Sequence, residues 1–212
     1  MLIKVCGMRH ADNIAQLSLL KPDYIGFIFY EKSLRFAGET ISPQLLETIP
    51  KSIKKVGVFV NADEKEVLNT SRYFGLDVVQ LHGQESSEMC ASLKSSGLEV
   101  WKVFHPNHEE TFPQTEQYEK VCDFFLFDTP SAQHGGTGQK FDWSFLQEYK
   151  GGVPFFLSGG IGSEDLDEVL KINHPKLIGL DLNSRFETEP ALKDIPLLQK
   201  FMAELTTSLK KD

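Results

Sequence analysis

Eight short apolar runs recur along the chain at intervals of roughly 20 to 30 residues: LIKVC at 2–6, YIGFIF at 24–29, KVGVFV at 55–60, VVQLH at 78–82, VWKVF at 100–104, FFLFD at 124–128, PFFLS at 154–158 and LIGLD at 177–181. They are nearly continuous rather than alternating, so both faces of each strand must be covered, as in a parallel sheet with helices packed against it. Segments of helical period lie between them, among them ADNIAQLSLL, DEKEVLNTSRYFG ending at Gly75, SSEMCASLKSSG ending at Gly97 and SEDLDEVLKI after Ser163. ALKDIPLLQKFMAEL reads as a closing helix, and the fifth unit is the weakest because HPNHEETFPQTEQYEK carries two prolines and little apolar face. Eight strand-plus-helix units with short connections are most economically an α/β (β/α)₈ barrel, one domain over residues 1–212. A doubly wound open sheet is the competing arrangement.

Composition narrows the function. Apolar residues make up 41% and charged residues 25% of the 212 residues, the balance of a globular protein rather than a disordered one. No run reaches the length that crosses a bilayer and no signal-peptide pattern opens the chain, so the expectation is a cytoplasmic protein with no membrane partner. The formal charge of −8 and the lack of a basic stripe argue against nucleic acid. Cys6, Cys90 and Cys122 have no close-spaced pair, which points to free thiols and not to a zinc site. No long apolar surface helix stands out, so the expected state is a monomer.

In a barrel the C-terminal ends of the strands ring the site. Cys6, His82, Asp128, Asp181 and the Ser158-Gly159-Gly160 turn fall there, with Arg35 in the loop after the second strand. Cys6 reads either as a small apolar filler or as a base whose thiolate is favoured by Arg9 and Arg35. Asp128 reads as a cap or ion-pair partner, or as an acid whose pKa burial raises. LSGGIG at 157–162 followed by SEDL puts free N–H groups at a helix start, and Asn183 and Ser184 offer a second set of donors. Together these suit a phosphate, against the alternative of an ordinary tight turn. His82 either lines the cavity or satisfies nearby carbonyls. The polar loop TPSAQHGGTGQKFDW, with His134 in it, reads as a lid, and GGTGQK is not a nucleotide P-loop.

These residues sit in KVCGMR, SLRF, VQLHG, FLFDT with GGTGQKFDW, LSGGI, and LDLNSRFE with KD. In order and spacing, nearly end to end, the set resembles the phosphoribosylanthranilate isomerase family of tryptophan biosynthesis. The resemblance implies a (β/α)₈ barrel performing an Amadori rearrangement on a phosphosugar, with Cys6 as general base and Asp128 as general acid. Arg35 would hold the anthranilate carboxylate, and Gly159, Gly160, Asn183 and Ser184 the phosphate. Asp181 would also face the site, with no metal and no cofactor, and His82 is counted with the candidate substrate-binding residues. Two positions depart from the family pattern: Arg185 and Ala191 stand where glycines are usual. A bulky Arg185 either disturbs the phosphate turn or adds a bond to the phosphate. The competing functions are another phosphosugar isomerase and a catalytically silent phosphosugar-binding barrel.

Overall fold

The computed structural model describes residues 1–106, 111–129 and 140–210. Eight parallel strands close into a barrel in chain order: β1 (Leu2–Val5), β2 (Tyr24–Ile28), β3 (Lys54–Phe59), β4 (Val78–Leu81), β5 (Glu99–Phe104), β6 (Phe124–Phe127), β7 (Phe155–Leu157) and β8 (Leu177–Leu182). The seam is the β1–β8 pairing, Leu2 opposite Gly179 through Val5 opposite Leu182. It excludes the open doubly wound sheet, in which the first and last strands would not meet.

The connecting segments are helical where the pattern was strongest. α1 (Ala11–Leu19), α3 (Glu64–Phe74) and α4 (Ser87–Ser95) follow β1, β3 and β4, while the segment after β2 holds only the five-residue α2 (Pro43–Glu47). Asp63 caps α3 by accepting from the Glu66 N–H at 2.8 Å, and Gly75 ends it at φ +60, the left-handed exit that glycine makes without strain. The fifth unit is short, as its prolines require: α5 (Thr111–Thr115) runs into a single 3₁₀ turn. The sixth has only a 3₁₀ segment at Trp143–Glu148, and the seventh a 3₁₀ turn followed by α6 (Leu166–Leu170).

The reading of ALKDIPLLQKFMAEL as helix from Ala191 is corrected at its start. Residues 187–189 and 192–193 pair as a small hairpin, β9 (Glu187–Glu189) and β10 (Leu192–Lys193), and the helix α7 spans Ile195–Ser208. Asp194 sets the boundary by accepting from the Leu197 N–H at 3.0 Å, with Pro196 in the first turn where its missing N–H costs nothing.

Most of the core lies between the strands and the outer layer. A second, smaller cluster fills the lumen: Tyr24, Val56, Val78, Trp101, Val103, Leu126 and Phe156. Tyr24, Trp101 and Phe156 come from β2, β5 and β7, which are not neighbours, so they meet only through the interior. Trp101 stacks on Phe156 with ring centres 4.6 Å apart, and the Tyr24 ring stands edge-on to both. This plug floors the barrel. Side chains alternate along a strand, so the inward residues two steps further toward the C-terminal end form the next layer. They include Lys4, Gln80, Asp128 and Ser158 beside Gly26 and Val58, so polar side chains begin directly above the floor.

Replacing Phe156, fully buried in the plug, by alanine is expected to cost about 3–5 kcal/mol. Urea unfolding monitored by circular dichroism should show the midpoint falling with an unchanged slope.

Candidate active site

The strand that opens the chain delivers its residues in alternation. Lys4 points inward and is fully buried, and the register places it opposite Asp181 on β8. Its ammonium donates to Asp181 Oδ1 at 2.8 Å, while Ser158 Oγ reaches the other carboxylate oxygen at 3.4 Å. One inward step later comes Cys6, whose N–H closes on the Leu182 carbonyl. The chain then turns: the N–H groups of Gly7 and Met8 both donate to the Gly26 carbonyl at 3.0 Å. Gly7 has φ +78, and a Cβ there would stand 2.7 Å from Arg35 Cδ and 2.9 Å from Asn183 Oδ1. A glycine follows the cysteine because two site residues close over that point. Gly26 serves the thiol in the same way, since its missing Cβ would lie 2.8 Å from Cys6 Sγ.

Burial pushes the Cys6 thiol up. The Lys4 cation, which also bonds to it, opposes this in part, Asp181 adds to it, and the net direction is upward. The expected activation by Arg9 and Arg35 is therefore corrected. Arg9 reaches outward to the Leu34 carbonyl and Arg35 is held by Glu187, so the cations that act on the thiol are Lys4 and, more weakly, Lys193. Burial pushes the Lys4 ammonium down, but Asp181 and the thiol outweigh it, so it stays charged.

Asp128 follows β6, and its Oδ1 accepts from the Thr129 N–H at 2.8 Å. Its Oδ2 lies 3.4 Å from His82 Nε2, and His105 Nδ1 lies 3.4 Å from the Asp128 carbonyl. Burial raises this carboxyl, yet the His82 hydrogen bond and the charges of His82 and His105 overcome it, so the net shift is downward. This corrects the expectation of a raised pKa: desolvation is present but the two imidazoles win. His105 itself is pushed down by burial and by His82. His82, His105 and Asp128 form the one three-membered group of metal-capable side chains among the described residues, and their contacts are those of a hydrogen-bonded cluster.

Gly159 and Gly160 take φ +90 and +69 in succession, and a Cβ on Gly159 would stand 2.3 Å from Thr129 Oγ1 and 2.5 Å from the Thr129 nitrogen. Among the described residues nothing accepts from the N–H groups of these two glycines. Arg185 lies in a 3₁₀ turn, Ser184–Phe186, outside the left-handed region, so the position makes no demand for glycine. Its half-exposed guanidinium pairs with Glu164 in the segment after β7. Ala191 does adopt φ +71 while fully buried, a strain of about 1 kcal/mol that glycine would avoid. The loop with His134 lies outside the described residues over 130–139.

Cys6, Arg35, His82, Asp128, Gly159, Gly160, Asp181, Asn183 and Ser184, all selected from the sequence, line one cavity of about 670 Å³ of empty space including its mouth. Gln80, Tyr30 and Ser33 share it and were not selected, nor were Lys4, His105, Glu187 and Lys193 behind its wall. A lysine inside an apolar strand two residues before Cys6 was the available signal for Lys4, and the KD pair after the last strand was the signal for Lys193.

The model of the N-(5'-phosphoribosyl)anthranilate (PRA) isomerase family matches residues 3–204. The chain belongs to this family. The isomerase of Parabacteroides distasonis is 45% identical over 206 residues, covering 97% of this chain and 93% of the relative. The crystal structure of the Thermotoga maritima enzyme superposes with a TM-score of 0.83 at 29% identity, covering 98% of this chain and all of that one. A phosphoribosyl anthranilate isomerase in complex with reduced 1-(o-carboxyphenylamino)-1-deoxyribulose 5-phosphate superposes with a TM-score of 0.80 at 28% identity, covering 98% and 100%.

Because the folded Asp128 carboxyl titrates below its unfolded value, the unfolded chain takes up the proton first as the medium is acidified. The stability it contributes is complete above about pH 4 and is lost as pH falls through the folded pKa. Urea unfolding between pH 7 and pH 3 should therefore show a shallower acid decline for Asp128→Asn than for the parent.

Proposed function

We propose that this chain isomerises N-(5-phosphoribosyl)anthranilate to 1-(2-carboxyphenylamino)-1-deoxyribulose 5-phosphate, the Amadori step of tryptophan biosynthesis. The observation that carries the reading is one cavity holding a buried thiol, a buried carboxyl and a pair of left-handed glycines in the positions of the family motifs. Asp128, from the sixth strand, delivers a proton to the ribose ring oxygen. The C1–O bond breaks as the anthranilate nitrogen lone pair forms the C1=N bond of a protonated Schiff base. Cys6, from the first strand and so across the mouth, removes the proton from C2, and the C2–H electrons move to C1 while the nitrogen recovers its pair. The resulting enolamine tautomerises, C1 gaining a proton and the C2 hydroxyl losing one, to the ketose. Atoms are conserved and the substrate nitrogen is the electron sink, so the chemistry calls for no metal or cofactor. Arg35 binds the anthranilate carboxylate, the Gly159-Gly160 N–H groups with Asn183 and Ser184 bind the phosphate, and Asp181 and His82 line the sugar.

In the resting site the thiol is protonated and the carboxyl is ionised, the reverse of what the steps require. The active form is the minor one with the proton exchanged between them. The chain works as one domain and as a monomer in the cytoplasm on this reading. Among the described residues no helix is long and apolar enough to cross a membrane, and the exposed large apolar side chains are scattered.

The experiment is to follow loss of anthranilate-derivative fluorescence when freshly generated substrate meets purified protein. Turnover by the parent, with kcat reduced at least about a hundredfold in each of Cys6→Ser and Asp128→Asn, is the expected result. A folded parent without turnover would leave only the phosphosugar-binding reading. The pH profile is a separate check. With a raised thiol and a lowered carboxyl, kcat/KM should be flat within about twofold from pH 6.5 to 8.5 and decline only above the ordinary thiol range. A rising limb centred near neutrality would show instead a thiol tuned to the thiolate.

A further inference from the structure

Behind Arg35 and Asn183 lies a charge cluster that makes no step of the chemistry above, apart from the weak pull of Lys193 on the Cys6 thiol. Glu187, in β9, accepts from Arg35 Nε at 2.9 Å and from Arg35 Nη2 at 2.7 Å, a bidentate fork. The same carboxylate takes the Ala191 N–H at 3.1 Å and pairs with Lys193 of β10. The Lys193 side chain is fully buried, and its ammonium also donates to Asn183 Oδ1 at 2.8 Å. Its backbone is locked to Asn13 of α1 in both directions, N–H to Oδ1 at 2.8 Å and carbonyl to Nδ2 at 3.0 Å. The hairpin thus anchors, from behind, one residue on the carboxylate side of the site and one in the turn after β8.

We infer that Glu187 is a positioning residue that sets the enzyme's preference for a substrate whose aromatic amine carries a carboxylate, with Lys193 as its buried counter-charge. The inference rests on the assignment of Arg35 to that carboxylate. Glu187 uses the Nε and Nη2 edge of the guanidinium, which leaves Nη1 and the remaining Nη2 proton as a second edge on a residue that lines the cavity. A guanidinium already clamped on one edge presents the other in a fixed plane, so the substrate carboxylate is bound without first ordering a long side chain. Gly7 leaves room for this pose, since its missing Cβ would meet Arg35 Cδ. Burial pushes the Lys193 ammonium down to about 8, partly offset by Glu187, whereas Arg35 and Lys193 together hold Glu187 ionised despite its burial. The carboxylate therefore stays available to the fork throughout the working pH range.

The test compares two substrates, N-(5-phosphoribosyl)anthranilate and the phosphoribosylated aniline that lacks the ring carboxylate, in the parent, Arg35→Met, Glu187→Gln and Glu187→Asp. Arg35→Met must flatten the parent's preference in kcat/KM; if it does not, the Arg35 assignment itself is wrong. Given that control, Glu187→Gln is expected to lower the preference about tenfold. It should do so by raising KM for the anthranilate substrate alone, with kcat held within about twofold, and Glu187→Asp should restore part of it. An equal loss on both substrates, or an unchanged preference, would overturn the inference. If Glu187→Gln does not fold, the double variant Glu187→Gln with Lys193→Met removes both charges and is read in the same way.

Discussion

The β1–β8 seam is the constraint on which this site depends. Closing an eight-stranded barrel forces the first and last strands together in one register, and that register sets Lys4 beside Asp181 with no water between them. An unpaired lysine or aspartate at this depth would carry a penalty of several kcal/mol; the pairing keeps Lys4 charged, while burial still pushes the Asp181 carboxyl up against the pull of Lys4. The pair is also the electrostatic floor of the cavity. Lys4 is the main cation acting on Cys6 and Asp181 the main anion; they oppose one another, and burial, the largest effect, sets the upward direction of the thiol.

The opposite side of the mouth uses the other logic. Asp128 is equally buried, but two imidazoles and a backbone N–H surround it, and the carboxylate is favoured. The thiol is raised because burial outweighs Lys4 and the carboxyl is lowered because the imidazoles outweigh burial, so the surroundings widen the ordinary gap between the two residue types. The barrel brings these neighbours from β1, β4, β5, β6 and β8, so the proton inventory of the site belongs to the whole ring.

The segment after β8 shows how a fold can support a site from outside it. Its hairpin is only a few residues long and lies over the barrel rim, yet it contributes a buried carboxylate and a buried ammonium to the backs of Arg35 and Asn183. Ala191 accepts a left-handed backbone within that hairpin, and its N–H bonds to Glu187. The strain and the anchoring contact are adjacent, and the surrounding ion cluster over-determines the turn.

Much of this was legible in the chain itself. Near-continuous apolar runs separated by helical period permit few architectures, because strands buried on both faces need helices outside and a sheet of eight such units closes most cheaply on itself. The strand ends then named Cys6, His82, Asp128 and Asp181, and the paired glycines named the anion turn, because period-two alternation and φ preference are local properties. The directions of the pKa shifts were decided elsewhere. Asp128 is low because His82 and His105 arrive from two other strands, and Cys6 answers to Lys4 rather than to Arg9 or Arg35. Lys193 reads from the sequence as part of the closing helix and Glu187 as part of the turn after the last strand, and only the hairpin brings the two together. Local pattern determines which residues a strand can present, but charge interacts through space, and only the closed barrel determines which charges are near one another.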